Sequence, residues 1–298
     1  MRIATSTSSQ VALQQIGDLN TRMSKLQTQV SSGQRIFQPE DDPAAVGRLI
    51  NLQAESQHLG QFQQNATRAL EISQASTSAL QSLKSVSDRA TEIGTLGSST
   101  QSADAAASYA TEVNQLLEQA VQSANTQLRG DYLFGGTAID APPFAVTRDA
   151  AGNITAVTYN GDAGASAIPL SENASITPYT SAPTNQGMAD FLNHLVALRD
   201  ALNVNDTTAV AGAQGGLLTT ENTIINAISD QGAIQMRIQV NQDQQQTRAT
   251  DIQQMISSDA DVDMSTAIVK YNQVQVAYQA SLQSTASLMS KSLLDYIQ

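Results

Sequence analysis

The sequence predicts a mainly α protein: a long helical bundle with terminal coiled-coil helices and a small β-rich insert in the middle. Three observations predict it. Both chain ends carry apolar residues at heptad spacing, and long stretches between them keep a helical period. Glycine and proline gather in one central stretch that also holds short β-type runs. Aromatic residues are only 4% of the 298, and Trp is absent. Such a chain buries apolar surface in thin seams between helices rather than in one broad core.

The first helix is marked by Ile16, Leu19, Met23, Leu26 and Val30, which form a heptad seam. Gly33 ends it, because glycine takes the left-handed conformation that closes helices. The stretch VSSGQRIFQPEDDPAAVGRL (Val30–Leu49) then holds three adjacent acids, Glu40, Asp41 and Asp42. Asp42 before Pro43 reads as an N-cap followed by the first helical residue. Asp41 and Glu40 would add negative charge at the positive end of the helix dipole. A metal site would need more oxygen ligands at loop spacing, and that pattern is missing.

A second helix is expected over 44–96, carried first by Leu49, Leu52, Leu59 and Phe62, then by Leu80, Leu83, Val86 and Ile93. A third is expected over Ala103–Leu128, with Tyr109, Val113, Leu116 and Ala120 on one face. The Arg-Gly-Asp triplet in Leu128–Tyr132 reads as a helix stop rather than a receptor-binding motif. Short β-type runs follow at Phe144–Thr147 and Ile154–Tyr159, with weaker ones at Ala167–Leu170 and Ser175–Tyr179. Asp149–Asn153 reads as the hairpin turn between the first two. Helical pattern returns at Met188–Leu202, and again over Gln214–Ser257. Within the latter, Gln239–Asp251 is polar enough to face solvent or line a polar contact.

Asp259–Asp263 reads as a loop or helix start; its alternating acids lack the glycine and distal glutamate of a calcium loop. The last helix carries Ala267, Tyr271, Val274 and Tyr278, then Leu282, Ala286, Met289, Leu293 and Tyr296. The step from Tyr278 to Leu282 to Ala286 is a stutter. Each end thus has one apolar stripe with no sequence neighbour to cover it. The two ends are expected to pack on each other or on other copies.

Several classes of function are excluded or disfavoured. The net charge is −12, without a basic stripe, which argues against nucleic acid. No cysteine is present, so disulfides and thiolate chemistry are out. His58 and His194 belong to no recognisable catalytic set, and no phosphate-binding glycine motif occurs. No enzyme activity, cofactor or metal is expected. The amino terminus lacks a secretory signal, and no run approaches the ~20 apolar residues that span a bilayer. The chain is expected to be soluble, without membrane insertion, and cytoplasmic or exported without a Sec signal.

Leu19-Asn20, LQTQVSSGQRI (Leu26–Ile36) and PEDDPAA (Pro39–Ala45) resemble the N-terminal signature of the bacterial flagellin family. The tail Val274–Ile297 is similar to that family's C-terminal helix. NTQLRGDYLFGGTAID (Asn125–Asp140) resembles the corresponding turn of the family's hook–filament junction members, not of its filament subunits. The resemblance implies a self-assembling structural subunit, exported unfolded through the flagellar type III channel and extracellular. Its implied partners are other copies of itself, hook-associated protein 1, flagellin and an export chaperone.

The expected domains are a terminal coiled-coil layer (1–38 with 259–298), a helical bundle (39–130 with 186–258) and a β-rich insert (131–185). The expected assembly interface comprises Ile16, Leu19, Met23, Leu26, Val30, Tyr271, Val274, Tyr278, Leu282, Met289 and Leu293. Gly33, Asp42 and Pro43 are the expected helix caps. The rival readings are a short flagellin that builds the filament, and a cytoplasmic coiled-coil signalling domain. The second would need its heptads to run on through the middle, where the glycine- and proline-rich insert breaks them.

Overall fold

The computed structural model describes residues 2–99, 102–164 and 166–297, with side chains for these except 2–6, 8, 9 and 288–297. The fold is mainly α. Its elements run α1 (Arg2–Ser32), α2 (Pro43–Gly97), α3 (Ala103–Ala124), β1 (Gln127–Leu128), β2 (Asp131–Tyr132), β3 (Phe144–Arg148), β4 (Ile154–Tyr159), β5 (Ile168–Ser171), β6 (Ala174–Ile176), α4 (Ala182–Asn203), α5 (Thr207–Ala260) and α6 (Met264–Ile297). The chain forms two compact units, Met1–His58 with Thr247–Gln298, and Leu59–Gln246. Their boundaries fall inside α2 and α5, where the sequence marks no break.

The larger unit holds the main core. Leu80, Leu83, Val86 and Ile93 of α2 pack with Val113 and Leu117 of α3, with Met188, Phe191, Leu192, Leu195 and Leu198 of α4, and with Leu217 and Ile224 of α5. Phe134 and Phe144 bring the insert into the same cluster. The α2–α5 seam is partly polar. Gln214 donates to Thr95 at 2.7 Å, Ser73 to Gln231 at 2.6 Å, and Gln235 to Thr77 at 2.9 Å. Such a ladder fits a chain poor in large apolar side chains, because these polar groups pair across the seam.

The insert is three antiparallel hairpins, β1–β2, β3–β4 and β5–β6, each its own two-stranded sheet. Isolated hairpins are marginal in water, and helix side chains complete these. The Asn125 side chain accepts from Phe144 N at 3.0 Å and donates to Phe144 O at 2.9 Å. On α4, Asn193 does the same to Val157, at 2.9 and 2.8 Å. Each amide stands in for one residue of a neighbouring strand. The third hairpin is held by Asn65, which donates to Pro169 O at 3.0 Å, and by Gln245, which donates to Leu170 O at 2.6 Å.

Several boundaries differ from the sequence reading. α3 stops at Ala124, not Leu128, because Asn125 is drawn into its pair with Phe144. The Arg-Gly-Asp triplet is therefore no helix stop. It is the tip of the β1–β2 hairpin, where Arg129 and Gly130 both have positive φ, 57° and 97°, as a two-residue turn of the primed type requires. α4 begins six residues before Met188, capped by Ser181. α5 begins at Thr207 and runs through Gly215 and Gly216. Gly216 lies against the His194 ring, where a Cβ would come within 2.4 Å. Asp206 accepts from the N–H groups of Thr208 and Ala209, both at 3.0 Å, which starts the helix early.

Candidate functional site

The smaller unit brings the two chain ends together. α1 packs along α6. Ile16, Leu19, Met23, Leu26 and Val30 are half-buried, as are Tyr271, Val274 and Tyr278. Farther along α6 the seam runs through Ser281 and the buried Thr285. The heptad therefore continues without a stutter. Leu282 is left out of the seam at 43% exposed. The side chains of Met289 and Leu293 lie outside the described residues.

Leu282 belongs to a second apolar set. Ile268, Val269 and Val276 of α6 are also exposed, Val276 by 66%, and so are Val11 and Leu13 of α1. The unit is also almost neutral. Eight Lys and Arg stand against ten Asp and Glu here, whereas the larger unit has seven against seventeen.

Below the seam the loop after α1 is clamped to the loop before α6. Gly33 has φ of 73°, and its N–H reaches Gln29 O at 2.9 Å. Its carbonyl accepts from Val262 N at 2.9 Å, and Arg35 N donates to Ala260 O at 2.7 Å. Arg35 donates from Nη2 to Asp259 O at 2.8 Å and from Nη1 to Asp42 Oδ2 at 3.1 Å. Arg48 meets the Asp259 carboxylate through Nε and Nη2, at 2.9 and 2.8 Å.

The acids of the opening loop divide their work. Asp42 Oδ1 accepts from Ala45 N at 3.0 Å, where α2 starts at Pro43. Asp41 faces the other way: Oδ2 accepts from Phe37 N and Gln38 N, at 3.0 and 3.1 Å, while Oδ1 takes Lys25 Nζ at 2.5 Å. It closes the loop onto α1, in place of the helix-dipole role read from sequence. The Lys25 hydrogen bond first, and the two backbone N–H groups after it, lower the Asp41 pKa to about 2. Asp42 is lowered mainly by the Ala45 N–H and then by Arg35, and Asp259 mainly by Arg48. Asp263 starts α6, accepting from Ser265 N at 3.0 Å and Thr266 N at 3.3 Å.

This arrangement joins the two chain ends. The groove beside the loop, about 460 Å³, is lined by Asn20, Ser24, Lys25, Thr28, Phe37 and Asp41. Among the described residues no group of His, Asp and Glu could hold a metal ion, and no helix is long and apolar enough to cross a membrane. Sequence reasoning missed Arg35, Arg48 and Asp259 as a set. Their partners lie more than two hundred positions away, so no local pattern signals them.

Known proteins resemble the chain in sequence and in fold. Residues 3–138 match the family model of the bacterial flagellin N-terminal helical region. Flagellar hook-associated protein 3 of Salmonella typhimurium is 26% identical over 313 aligned positions, covering 98% of each chain. A putative flagellar hook-associated protein from Vibrio parahaemolyticus has the same fold, with a TM-score of 0.66 at 16% identity, over 74% of this chain and 100% of that one. FlgL of Bacillus cereus gives 0.60 at 17% identity, over 70% and 99%. The amino-terminal region, residues 3–138, thus matches the bacterial flagellin N-terminal helical region, and the chain along nearly its whole length is similar to flagellar hook-associated protein 3.

Proposed function

We propose that the chain is a structural subunit of the bacterial flagellum that joins hook to filament, assembling through its terminal helices. The observation that carries this reading is the likeness to flagellar hook-associated protein 3 over 98% of both chains. The smaller unit supports it physically. An exposed apolar face on paired terminal helices is a binding surface or a liability. Near-neutral charge there lets copies approach, while the acidic larger unit keeps unassembled chains apart.

In this reading the partners are other copies of the chain, hook-associated protein 1 on one side and flagellin on the other. The chain is extracellular, exported through the flagellar type III channel with a chaperone on its C-terminal region. It has no enzymatic activity. A deletion strain complemented with a tagged chain tests the reading, by electron microscopy and immunogold labelling of isolated flagella. The label belongs at the hook–filament boundary, and the deletion strain has hooks without filaments. Label along whole filaments would instead make the chain a filament subunit.

A further inference from the structure

The larger unit has its own uncovered face. Leu218, Ile225, Met236 and Val240 are exposed on α5, at steps of seven, eleven and four residues, which keep them on one side of the helix. Next to Met236 and Val240 lies a groove of about 350 Å³, walled on its far side by Leu170, Ala174 and Ile176 of the β5–β6 hairpin. The hairpin is held in place by the Asn65 and Gln245 bonds, so the groove is a formed feature and not a gap between loose elements.

Arg237 stands on the rim of this groove. The other six cations of the larger unit each meet a carboxylate: Arg68, Lys84, Arg89, Arg129, Arg148 and Arg199. Among the described residues Arg237 is the one cation of this unit without such a partner. The same unit carries exposed acids that meet no cation, including Asp104, Asp140, Glu172 and Asp230. An apolar centre with a charged rim is the composition of a protein contact.

We infer that this α5–hairpin groove is a side-to-side contact between copies of the chain, with Arg237 taking a carboxylate from the larger unit of its neighbour. The inference rests on the assembly reading above and extends it to a second surface. Copies repeated around an axis meet through two different patches, and every copy supplies both. Each larger unit brings ten more acids than bases. Neighbours placed side by side repel unless a cation faces a carboxylate. Arg237 is the free cation, and a second copy supplies the free carboxylates. Met236 and Val240 then leave water in the same contact.

The test is a photo-crosslinking residue at Met236 of the full-length chain, expressed in flagellated cells. Hook–filament preparations are first checked for the protein itself. Illumination should give an adduct of twice the chain mass, with peptides of the larger unit on both sides. Arg237→Glu in the same chain should cut that adduct several-fold, because charge reversal at a rim acts on encounter and register. Its thermal melting as an isolated chain should not change. An adduct only to a different flagellar protein, or none in preparations that contain the chain, would overturn the contact and leave the functional reading standing. Absence of the chain from hook–filament preparations would overturn that reading, and this contact with it.

Discussion

Arg48 and Asp259 stand 211 positions apart and meet as a two-pronged pair, Nε to Oδ2 at 2.9 Å and Nη2 to Oδ1 at 2.8 Å. The pair joins the first turns of α2 to the last turn of α5. Arg35 grips the backbone carbonyl of the same Asp259. One aspartate thereby fixes how the chain leaves α1 and how it enters α6. Asp259→Asn keeps the shape and removes the charge. It should speed amide exchange at Arg35 and Val262, whose N–H groups bridge the two loops, and leave exchange across Leu80–Ile93 unchanged. Uniform exchange in both regions would mean the clamp does not hold the loops.

The clamp should release in acid. The folded pKa of Asp41 is about 2 against 3.8 for a free aspartate. Those of Asp42, Asp259 and Asp263 are also lowered. A depressed folded pKa gives stability that is complete above the unfolded value and is lost as pH falls through the folded one. The loops joining the ends should therefore loosen as pH drops from about 4 towards 2. Asp41→Asn should flatten part of that dependence. Hydrogen exchange of Phe37 and Gln38, the Asp41 donors, reads it directly. A steeper acid transition in the variant would contradict the assignment.

The larger unit should behave as an ordinary packed core. Leu83 is fully buried among α2, α3, α4 and α5 neighbours. Leu83→Ala should cost about 2–5 kcal/mol in unfolding free energy, since the lost contacts leave a cavity. Val276→Ala, on the open face of α6, should stay within about 0.5 kcal/mol in the isolated chain. Denaturant titration followed by circular dichroism compares the two.

Gly216 and His194 offer a paired test. A Cβ at Gly216 would sit 2.4 Å from the His194 ring. Gly216→Ala should therefore destabilise by about 1–3 kcal/mol through overpacking, although alanine is the better helix former. His194→Ala in the same chain should return much of that loss, so the two changes should not add. Additive effects would show that α4 and α5 move apart instead.

What the sequence revealed follows the distance over which each contact acts. The heptad of α1 and the Asp42 contact to Ala45 lie within a few residues, so spacing and residue type mark them. The end of α3 was hidden because Asn125 pairs with Phe144, nineteen positions on. The α6 stutter arose from counting only apolar residues; Ser281 and Thr285 continue the seam while Leu282 turns outward. Gly216 makes room for the His194 ring, a contact between helices that no local spacing marks. The clamp at Asp259 joins opposite ends of the chain and leaves no local trace.

In the proposed assembly the exposed face of α6 meets a neighbouring subunit. An unpaired carboxylate there meets water in the isolated chain and an apolar neighbour in an assembly, where its burial costs several kcal/mol in every subunit. Val276→Asp, made in the full-length chain and expressed in a deletion strain, separates the two states. The measurement is electron microscopy of the cells, alongside the melting curve of the purified variant. The variant should show an unchanged melting curve, hooks without filaments, and flagellin released into the medium. Normal filaments on cells carrying the variant would contradict the proposed assembly.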